Sequence, residues 1–402
     1  MKMLISSELQ TKESIRFYVL FLCLYYIFSP FEYLLTSEEG SLLKYIAVGF
    51  SVFSLPYLLQ AIKYTRFSDP IIWSPILLII ISYLSVTWTI DIEATNKMNT
   101  TYLFLQLMFL IVYIIDFNER EQYFVRKAIL IGGVLVSLYV LVFSPEILVY
   151  RSEDRMALNE ADPNEFAALL TLALFVSFEQ IINSKSKWNI LLFISLLFMI
   201  LYTGSRGALI GCGFAFIYFL FFKFEFNFKL IIILLVIGSV LYVLIPSLLP
   251  EHIIERLSGG DDIIGTLEFG GGRTEIWYII FGKIIVDMPF LGYGSGCSSL
   301  IIAPYFNKPI GSHNTYFLLL LEYGILGLSI FMYFLWSIYK KIKYNPQFSK
   351  VLSFIAILII VFFLDAYFKK YLWNILMYVV ISNKFYVTQQ AQSITPDIQS
   401  KN

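Results

Sequence analysis

Residues 270–328 read GGGRTEIWYIIFGKIIVDMPFLGYGSGCSSLIIAPYFNKPIGSHNTYFLLLLEYGILGL, and this stretch constrains how the rest of the chain is arranged. It places a short apolar segment, residues 276–286, between a glycine cluster with Arg273 and a turn that contains Pro289. As a helix, the segment covers only about 15 to 20 Å. It is too short to cross a hydrocarbon core of roughly 30 Å. We therefore expect it to lie in the membrane interface or to pack beneath a loop.

Two motifs follow the short apolar segment. The glycine-rich run GYGSG at residues 292–296 predicts a flexible turn, because glycine adopts backbone conformations that other residues avoid. The SHN motif at residues 312–314 stands directly before a long apolar run. The side chain of Ser312 or Asn314 is suited to cap the helix of that run, which would hold His313 at the membrane surface.

The composition is that of a membrane protein. Hydrophobic residues make up 58% of the chain and charged residues 14%, and the mean hydropathy is +0.74. A soluble domain could not bury so much apolar surface, so we predict an all-α polytopic membrane protein. The formal net charge of zero gives no support to nucleic-acid binding. The three cysteines are scattered without metal-site spacing, and because Cys23 and Cys212 fall inside apolar runs, no disulfide framework is expected.

Apolar runs of spanning length recur along the chain, and we predict about twelve transmembrane helices. Their residues are 17–35, 42–62, 71–90, 101–115, 128–150, 164–182, 188–203, 207–222, 230–249, 315–339, 351–368 and 371–382. The whole chain, residues 1–402, is interpreted as one integral membrane domain, and residues 250–314 as its large loop between the ninth and tenth helices. No cleavable signal is expected, because the run from Phe17 lacks a small-residue cleavage site.

Basic residues are divided unequally between the two sides of this topology. With the N-terminus inside, the inner segments hold 18 of the 29 lysines and arginines, which favours cytoplasmic placement of both termini. Most lysines fall inside, whereas the arginines that fall outside are Arg151, Arg155, Arg206, Arg256 and Arg273. The planar guanidinium group suits bidentate binding of phosphate or carboxylate. The outer side is therefore predicted to be the working face.

Arg206 and Arg273 have the most distinctive surroundings of these arginines. Arg206 lies in TGSRG at residues 203–207, where small neighbours leave room for the guanidinium group and expose backbone donors to an anion. The alternative is an interfacial anchor whose charge reaches the headgroups. Arg273 follows three glycines, and the alternative to anion binding there is a salt bridge with Glu268 or Glu275.

The chain has two histidines, His252 and His313. His252 lies between Glu251 and Glu255 in a polar loop, and we interpret it as structural. His313 is the candidate general base, because a neutral imidazole can accept a proton from an attacking hydroxyl near neutral pH. The alternative for His313 is a histidine at a helix end that only bonds to backbone groups.

Several motifs together resemble the O-antigen polymerase and O-antigen ligase family of bacterial envelope glycosyltransferases. The motifs are DPNEFA at 162–167, TGSRGAL at 203–209, GGRTEIW at 271–277, MPFLGYGSG at 288–296 and SHNTYFLLLLEYGILGL at 312–328. They span about 170 residues in consistent order. In the first motif, Asp162 is suited to cap the predicted sixth helix, and Pro163 suits its first turn.

The resemblance implies a GT-C-type membrane glycosyltransferase in the bacterial inner membrane, with about twelve helices and a large periplasmic loop. Its donor would be a glycan on undecaprenyl pyrophosphate, with no nucleotide sugar, cofactor or required metal. Carried over by motif, Arg206 and Arg273 would be catalytic by binding the pyrophosphate, and His313 would act at the acceptor hydroxyl. Further substrate-binding candidates are Arg151, Arg155 and Asn314. The expected partners are the lipid-linked oligosaccharide, the bilayer and a chain-length regulator protein, without nucleic acid.

The function predicted from these residues is polymerisation of lipid-linked repeats of O antigen or capsule. The nearest alternative is the ligase, which moves the finished glycan onto lipid A core, and the motifs do not separate the two. A further alternative is a flippase or transporter for a lipid-linked glycan. That class calls for mid-membrane charges around a cavity and for two related halves. Here the helix centres are nearly uncharged and the polar residues gather at one side, which favours surface chemistry.

Overall fold

The computed structural model describes residues 15–37, 40–65, 67–143, 156–157, 162–184, 187–223, 249, 251–258 and 273–382. The longer helices are α1 (Phe17–Phe28), α2 (Leu42–Ile62), α3 (Pro70–Leu84), α4 (Ile92–Ile114), α5 (Glu119–Val142), α6 (Pro163–Ser184), α7 (Lys187–Tyr202), α8 (Arg206–Lys223), α9 (Glu251–Ser258), α10 (Arg273–Ile279), α11 (Ser298–Phe306), α12 (Thr315–Ile342), α13 (Phe348–Ile360) and α14 (Lys370–Val380). A small antiparallel hairpin, β1 (Thr36–Ser37) with β2 (Gly40–Ser41), precedes α2. The predicted all-α class is confirmed.

The helices identify a multi-pass membrane protein. In the described part of the chain, six helices are long and apolar enough to cross a bilayer, namely α2 to α6 and α12. Four shorter apolar helices, α1, α7, α8 and α13, stand beside them. The predicted ninth span, residues 230–249, lies almost wholly outside the described residues. The number of spans therefore stays a prediction.

The predicted fourth helix, residues 101–115, was too short. In the structure α4 begins at Ile92 and has 23 residues, because the Asp91 carboxylate caps it by accepting the amide N–H of Ala94 at 2.9 Å. Hydropathy missed its first two turns because they are polar. Two of their polar side chains, Thr95 and Asn99, are buried and bonded to residues 295 and 82 instead of facing water.

The predicted helix 351–368 was too long at its end. In the structure α13 stops at Ile360, and residues 361–366, which we call the 361–366 loop, leave the helix. The carbonyl of Val361 accepts the amide N–H of Thr315 at 2.9 Å, and the carbonyl of Leu364 accepts the Thr315 hydroxyl at 2.6 Å. If α13 continued, these carbonyl groups would accept N–H groups of the same helix. Here the N–H and hydroxyl groups of Thr315, at the start of α12, take their place.

Close packing of α8 against α13 fixes one side of this loop. At Gly211 in α8, an added Cβ would lie 2.8 Å from the backbone oxygen of Ala356 and 2.8 Å from the Ile360 side chain. A glycine is therefore needed for the two helices to approach so closely. The last described helix, α14, is buried from Tyr371 to Val380, and it packs against α4, α6, α12 and α13.

The short apolar segment of residues 276–286 packs against neighbouring structure. Helix α10 continues as a π-helical turn, Ile280–Ile284, and a short last turn, Ile285–Asp287. Its buried face carries Ile276, Ile280 and Ile284, which form an apolar cluster with Ile302 of α11 and Leu321 of α12. One face of the segment thus packs against other parts of the chain, and its placement in the membrane interface stays a prediction.

The turn that follows fits into a break in α12. Gly324 has φ 62°, so the backbone of α12 leaves the helical region there. An added Cβ at Gly324 would overlap the backbone carbonyl of Phe290. On the other side, a Cβ at Gly292, which has φ 65°, would meet the backbone of Leu321 and Glu322. The two glycines let the turn and the broken helix lie backbone to backbone.

Alanine at Gly324 is expected to destabilise the protein. A non-glycine residue with positive φ costs about 1 to 3 kcal/mol, and the added methyl group also has no space beside Phe290. Thermal unfolding of the detergent-solubilised protein measures this as a lower Tm. The matched control is Gly213→Ala in α8, where an added Cβ meets nothing within 4 Å. Equal Tm values for the two variants would contradict the packing described for Gly324.

Behind this turn lies a buried network of polar side chains. The Ser295 hydroxyl lies 2.9 Å from the Ser82 hydroxyl and 3.0 Å from the Tyr323 hydroxyl. One residue away, the Glu322 carboxylate is fully buried and accepts the Tyr102 hydroxyl at 2.8 Å. The expectation that helix centres are nearly uncharged was therefore wrong for α12. The network joins α3, α4 and α12 around the glycine turn.

Two groups of polar contacts lie at opposite ends of the bundle. One end, the Arg16 face, carries the Arg16–Glu121 ion pair and the Lys350 ammonium bonded to the carbonyl of Ile381. The other end, the His313 face, carries His313, Arg206 and the Lys369–Glu165 ion pair. The charge bias of the sequence predicts that the His313 face is the outer one.

Candidate active site

The SHN turn before α12 is held by one carboxylate. Asp365, in the 361–366 loop, accepts the amide N–H of His313 at 3.0 Å through Oδ2 and that of Asn314 at 3.0 Å through Oδ1. It also accepts the Ser312 hydroxyl. A Cβ at Gly311 would overlap Oδ2 of Asp365. Four consecutive residues, Gly311 to Asn314, are thus shaped around Asp365.

His313 itself has a backbone conformation that only this support makes favourable. Its φ is 50°, in the left-handed region that costs a non-glycine residue free energy. The hydrogen bond from its amide N–H to Asp365 offsets that cost. The side chain is only partly buried, so the imidazole is accessible at the His313 face. Histidine is among the residues enriched at positive φ, and the catalytic role of His313 stays a prediction.

Asn314 caps α12, as one of the two capping predictions stated. Its Oδ1 accepts the amide N–H groups of Tyr316 at 2.9 Å and Phe317 at 3.2 Å. The side chain is fully buried, and its Nδ2 has no hydrogen-bond partner among the described residues. The structure therefore gives Asn314 a structural role, and substrate binding by its amide stays a prediction.

Arg206 is the first residue of α8, at the end of a tight turn. Gly204 has φ 61°, and the Ser205 hydroxyl accepts the amide N–H of Ala208 at 3.4 Å in the first turn of the helix. The next residue, Gly207, packs on the 361–366 loop, because an added Cβ there would lie 3.0 Å from the Phe363 ring. The partly exposed Arg206 is thereby placed beside the loop that carries Asp365.

Arg273 is the first described residue of α10, and Trp277 ties that helix to the SHN turn. The indole Nε1–H of Trp277 donates to the carbonyl of Ser312 at 2.9 Å. The indole ring also packs edge-on against Phe362, with centroids 5.4 Å apart, and against Phe317 at 5.5 Å. Arg273 lies one helical turn before Trp277, and it is partly exposed like Arg206 and His313.

The elements that carry Arg206, Arg273 and His313 therefore meet at the 361–366 loop. Helix α8 reaches it through Phe363, α10 through Phe362, and the SHN turn through Asp365. Two cationic side chains and one imidazole on a shared support are what binding of a phosphate group beside a proton acceptor requires.

A second set of charges extends this face toward α6. The Glu165 carboxylate pairs with the Lys369 ammonium at 2.8 Å and accepts the Tyr33 hydroxyl. Burial, and then the charge of Glu165, raise the pKa of Tyr33 well above its usual range, so the phenol stays a neutral donor. The predicted cap of α6 is also observed, because Oδ1 of Asp162 accepts the amide N–H of Asn164 at 2.7 Å.

Two of the predicted substrate-binding residues, Arg151 and Arg155, lie outside the described residues. Three residues that matter to the site were not identified from the sequence: Asp365, Trp277 and Lys369. The available signal was the single acid in FFLDAYFKKY at residues 362–371, followed by two lysines. A charge near the end of a predicted span indicates that the helix ends earlier, and residues 361–369 do lie between α13 and α14.

The fold and site define a multi-pass membrane protein with an arginine- and histidine-bearing face. A family model described as O-antigen ligase matches residues 191–332, which include Arg206, Arg273 and the SHN turn. The predicted resemblance to the O-antigen polymerase and O-antigen ligase family is confirmed.

Two curated proteins of Rickettsia are similar to this chain, and both are named "Putative polysaccharide ligase". The protein of Rickettsia conorii is 25% identical over 270 residues, which cover 63% of each chain. The protein of Rickettsia typhi is 29% identical over 119 residues, covering 27% of this chain and 28% of the relative. The chain thus spans less than two thirds of the length of either relative.

Proposed function

We propose that this protein is a glycosyltransferase that polymerises lipid-linked oligosaccharide repeats, drawing the glycan from a polyprenyl pyrophosphate, with undecaprenyl pyrophosphate as the carrier. The observation that carries the proposal is the meeting of α8, α10 and the SHN turn at the 361–366 loop. This arrangement places two arginines and one accessible histidine on one face of a membrane-embedded bundle.

The chemistry of the transfer needs what this face offers. The acceptor hydroxyl attacks the anomeric carbon of the donor glycan, and the bond from that carbon to the pyrophosphate oxygen breaks. Negative charge then grows on the departing pyrophosphate, where Arg206 and Arg273 would stabilise it by charge-assisted hydrogen bonds. The proton of the acceptor hydroxyl would pass to the imidazole of His313. Fixed donors of this kind act more strongly in a poorly hydrated site than in water.

The location of the reaction is part of the proposal. A polyprenyl-linked donor is embedded in the bilayer, so a multi-pass protein of the bacterial inner membrane can reach it without extracting it. The positive charge bias assigns the His313 face to the periplasmic side. We also propose a GT-C-type architecture and a chain-length regulator protein as partner. Arg151 and Arg155 are proposed to contribute further substrate contacts.

A second candidate function is transfer of the finished glycan to lipid A core by a ligase. It is favoured by the description of the matching family model as O-antigen ligase and by the name of both Rickettsia relatives. The residues on the His313 face serve either reaction equally, because donor and leaving group are the same. Only the acceptor differs.

A gel profile of surface polysaccharide from a strain that lacks the gene separates these functions. A polymerase predicts single repeats without a ladder, on lipid A core or on the carrier. A ligase predicts long polymer that accumulates on the lipid carrier. An unchanged ladder would contradict both.

A further inference from the structure

A group of charged side chains on the Arg16 face has no role in the reaction proposed above. It consists of Arg126 of α5, Glu179 of α6 and Lys350 of α13, and the Lys350 ammonium lies within electrostatic range of the other two. The ammonium also lies 5.8 Å from the centre of the Tyr378 ring of α14. We call these four residues the Arg126 cluster. Four helices thus meet at one group of charges near the end of the bundle.

Arg126 has fewer hydrogen-bond partners than its position requires. Its side chain is half-buried, and its Nε and Nη1 atoms are buried without a hydrogen-bond acceptor in the described part of the chain. None of the described carboxylates forms a salt bridge with its guanidinium group. A buried charged donor without an acceptor is strongly destabilising. These two N–H groups therefore indicate that an anion binds here.

Lys350 is the second cation of the cluster, and only 2% of it is exposed. Its ammonium donates to the carbonyl of Ile381, a neutral acceptor, and no described carboxylate forms a salt bridge with it. Glu179 is also buried, and its Oε2 accepts the amide N–H of Ser349 at 3.1 Å. One carboxylate faces two cations, so one positive charge of the described cluster is unbalanced.

The charges of the neighbouring sequence do not reverse this balance. Residues 185–186, 224–233 and 383–392 follow the described ends of α6, α8 and α14, and they contain one acid and three bases, Glu225, Lys185, Lys229 and Lys384. On α5 itself, Glu121 already pairs with Arg16. Because basic residues outnumber acidic ones even with Glu225 counted, we expect a bound ligand to supply the balancing negative charge.

The cluster borders the lipid at headgroup depth. Arg126 lies between the buried face of α5, with Val125 and Ile129, and its exposed face, with Tyr123 and Lys127. Residues 126 and 127 are also the last charged positions before the apolar run that starts at residue 128. Charged groups at such a border stay near the membrane interface, where phospholipid phosphates lie.

We propose that the Arg126 cluster binds the phosphate of an anionic phospholipid of the inner leaflet. The phosphate oxygens accept the unpaired N–H groups of Arg126, and the single negative charge balances the excess charge beside Lys350. Basic pockets between transmembrane helices on the cytoplasmic side suit such headgroups. A zwitterionic lipid fits less well, because its own cation would lie against Lys350. This inference does not depend on the proposed function, which uses the His313 face.

Native mass spectrometry of the detergent-solubilised full chain tests the site. The protein is titrated with dioleoyl phosphatidylglycerol or with dioleoyl phosphatidylcholine, and the first bound lipid is followed. Phosphatidylglycerol is expected to bind at least about tenfold more tightly. Inorganic phosphate in about tenfold excess should not displace it, because the acyl chains also contribute to binding. Equal affinity for the two lipids, or displacement by inorganic phosphate, would overturn the proposal.

Variants locate the bound lipid on the protein. Arg126→Gln removes the unpaired donors and should reduce the preference for phosphatidylglycerol to about threefold or less. Arg126→Lys keeps the charge without the planar guanidinium group, so an intermediate preference is expected. The matched control is Lys127→Gln, which removes an exposed charge from the next position of α5 and should keep the native preference. An unchanged preference in Arg126→Gln, or an equal loss in Lys127→Gln, would contradict the assignment.

The lipid measurement is independent of turnover and of any variant's folding. The comparison of the two lipids uses the native protein, so it decides the proposal even where Arg126→Gln does not fold. The variant His313→Ala should bind phosphatidylglycerol like the native protein, because its substitution lies at the opposite end of the bundle. Loss of the lipid preference in His313→Ala would contradict binding at the Arg126 cluster.

Discussion

Alanine at Arg206 or Arg273 is expected to abolish detectable polymer while the protein remains in the membrane. Each arginine is assigned to the charge that develops on the departing pyrophosphate, and loss of one such donor typically lowers kcat about 10²- to 10³-fold. Both side chains are partly exposed at helix starts, so both variants are expected to remain folded. The measurement is the polysaccharide ladder of a complemented deletion strain, with membrane abundance determined in parallel.

Two further variants identify which property of the arginines matters. Arg206→Lys keeps the positive charge but loses the planar two-donor geometry, so partial activity between that of the native protein and that of the alanine variant is expected. Arg120→Ala removes an exposed arginine at the start of α5, on the Arg16 face, and should leave the ladder unchanged. A normal ladder from the Arg206 and Arg273 alanine variants would remove both residues from the site.

Replacement of Asp365 is expected to have an effect nearly as large, although no direct contact with substrate is assigned to it. Asp365→Ala leaves the amide N–H groups of His313 and Asn314 and the Ser312 hydroxyl without their acceptor. A buried polar group that loses its partner costs about 1 to 3 kcal/mol, so the turn should rearrange and His313 should leave its φ of 50°. We expect transfer to fall at least about tenfold.

The positioning role of Asp365 predicts a particular kinetic pattern. The variant Asp365→Asn keeps the shape but replaces one of the two accepting oxygens by an NH2 donor, which cannot accept a backbone N–H, so its activity should lie between those of the native and alanine proteins. The loss should appear mainly in kcat, because the arginines proposed to bind the donor are untouched. Asp287→Ala, at an exposed acid after α10, is the matched control and should behave like the native protein. A raised KM with native kcat would instead place Asp365 in substrate binding.

The apolar helices could be predicted from the sequence because lipid exposure requires continuous hydrophobicity. The helix α2, for example, begins and ends at the predicted residues 42 and 62. Polar contacts that replace water could not be predicted in the same way. The first turns of α4 depend on a partner 200 residues away, Ser295. The end of α13 depends on Thr315, which bonds to Leu364 from 49 residues away. Hydropathy along the chain contains no information about such pairs.

For the candidate site, the motifs identified residues but not their support. The SHN motif and TGSRG led to the prediction of His313 and Arg206 as site residues, and their catalytic roles stay predictions. The carboxylate that shapes the SHN turn was missed, because Asp365 stands alone in an apolar run and pairs with backbone N–H groups instead of a charged side chain. Sequence spacing does not show that three distant elements share one loop.

Release of polyprenyl pyrophosphate tests the central claim most directly. The purified protein would be reconstituted in vesicles with polyprenyl-pyrophosphate-linked repeats as both donor and acceptor, and released carrier and glycan length would be followed together. The native protein is expected to release one carrier for each linkage formed. His313→Ala should lower the rate about 10²- to 10⁴-fold, as loss of a general base does. Native release from the His313→Ala protein, or longer glycan without released carrier, would contradict the account.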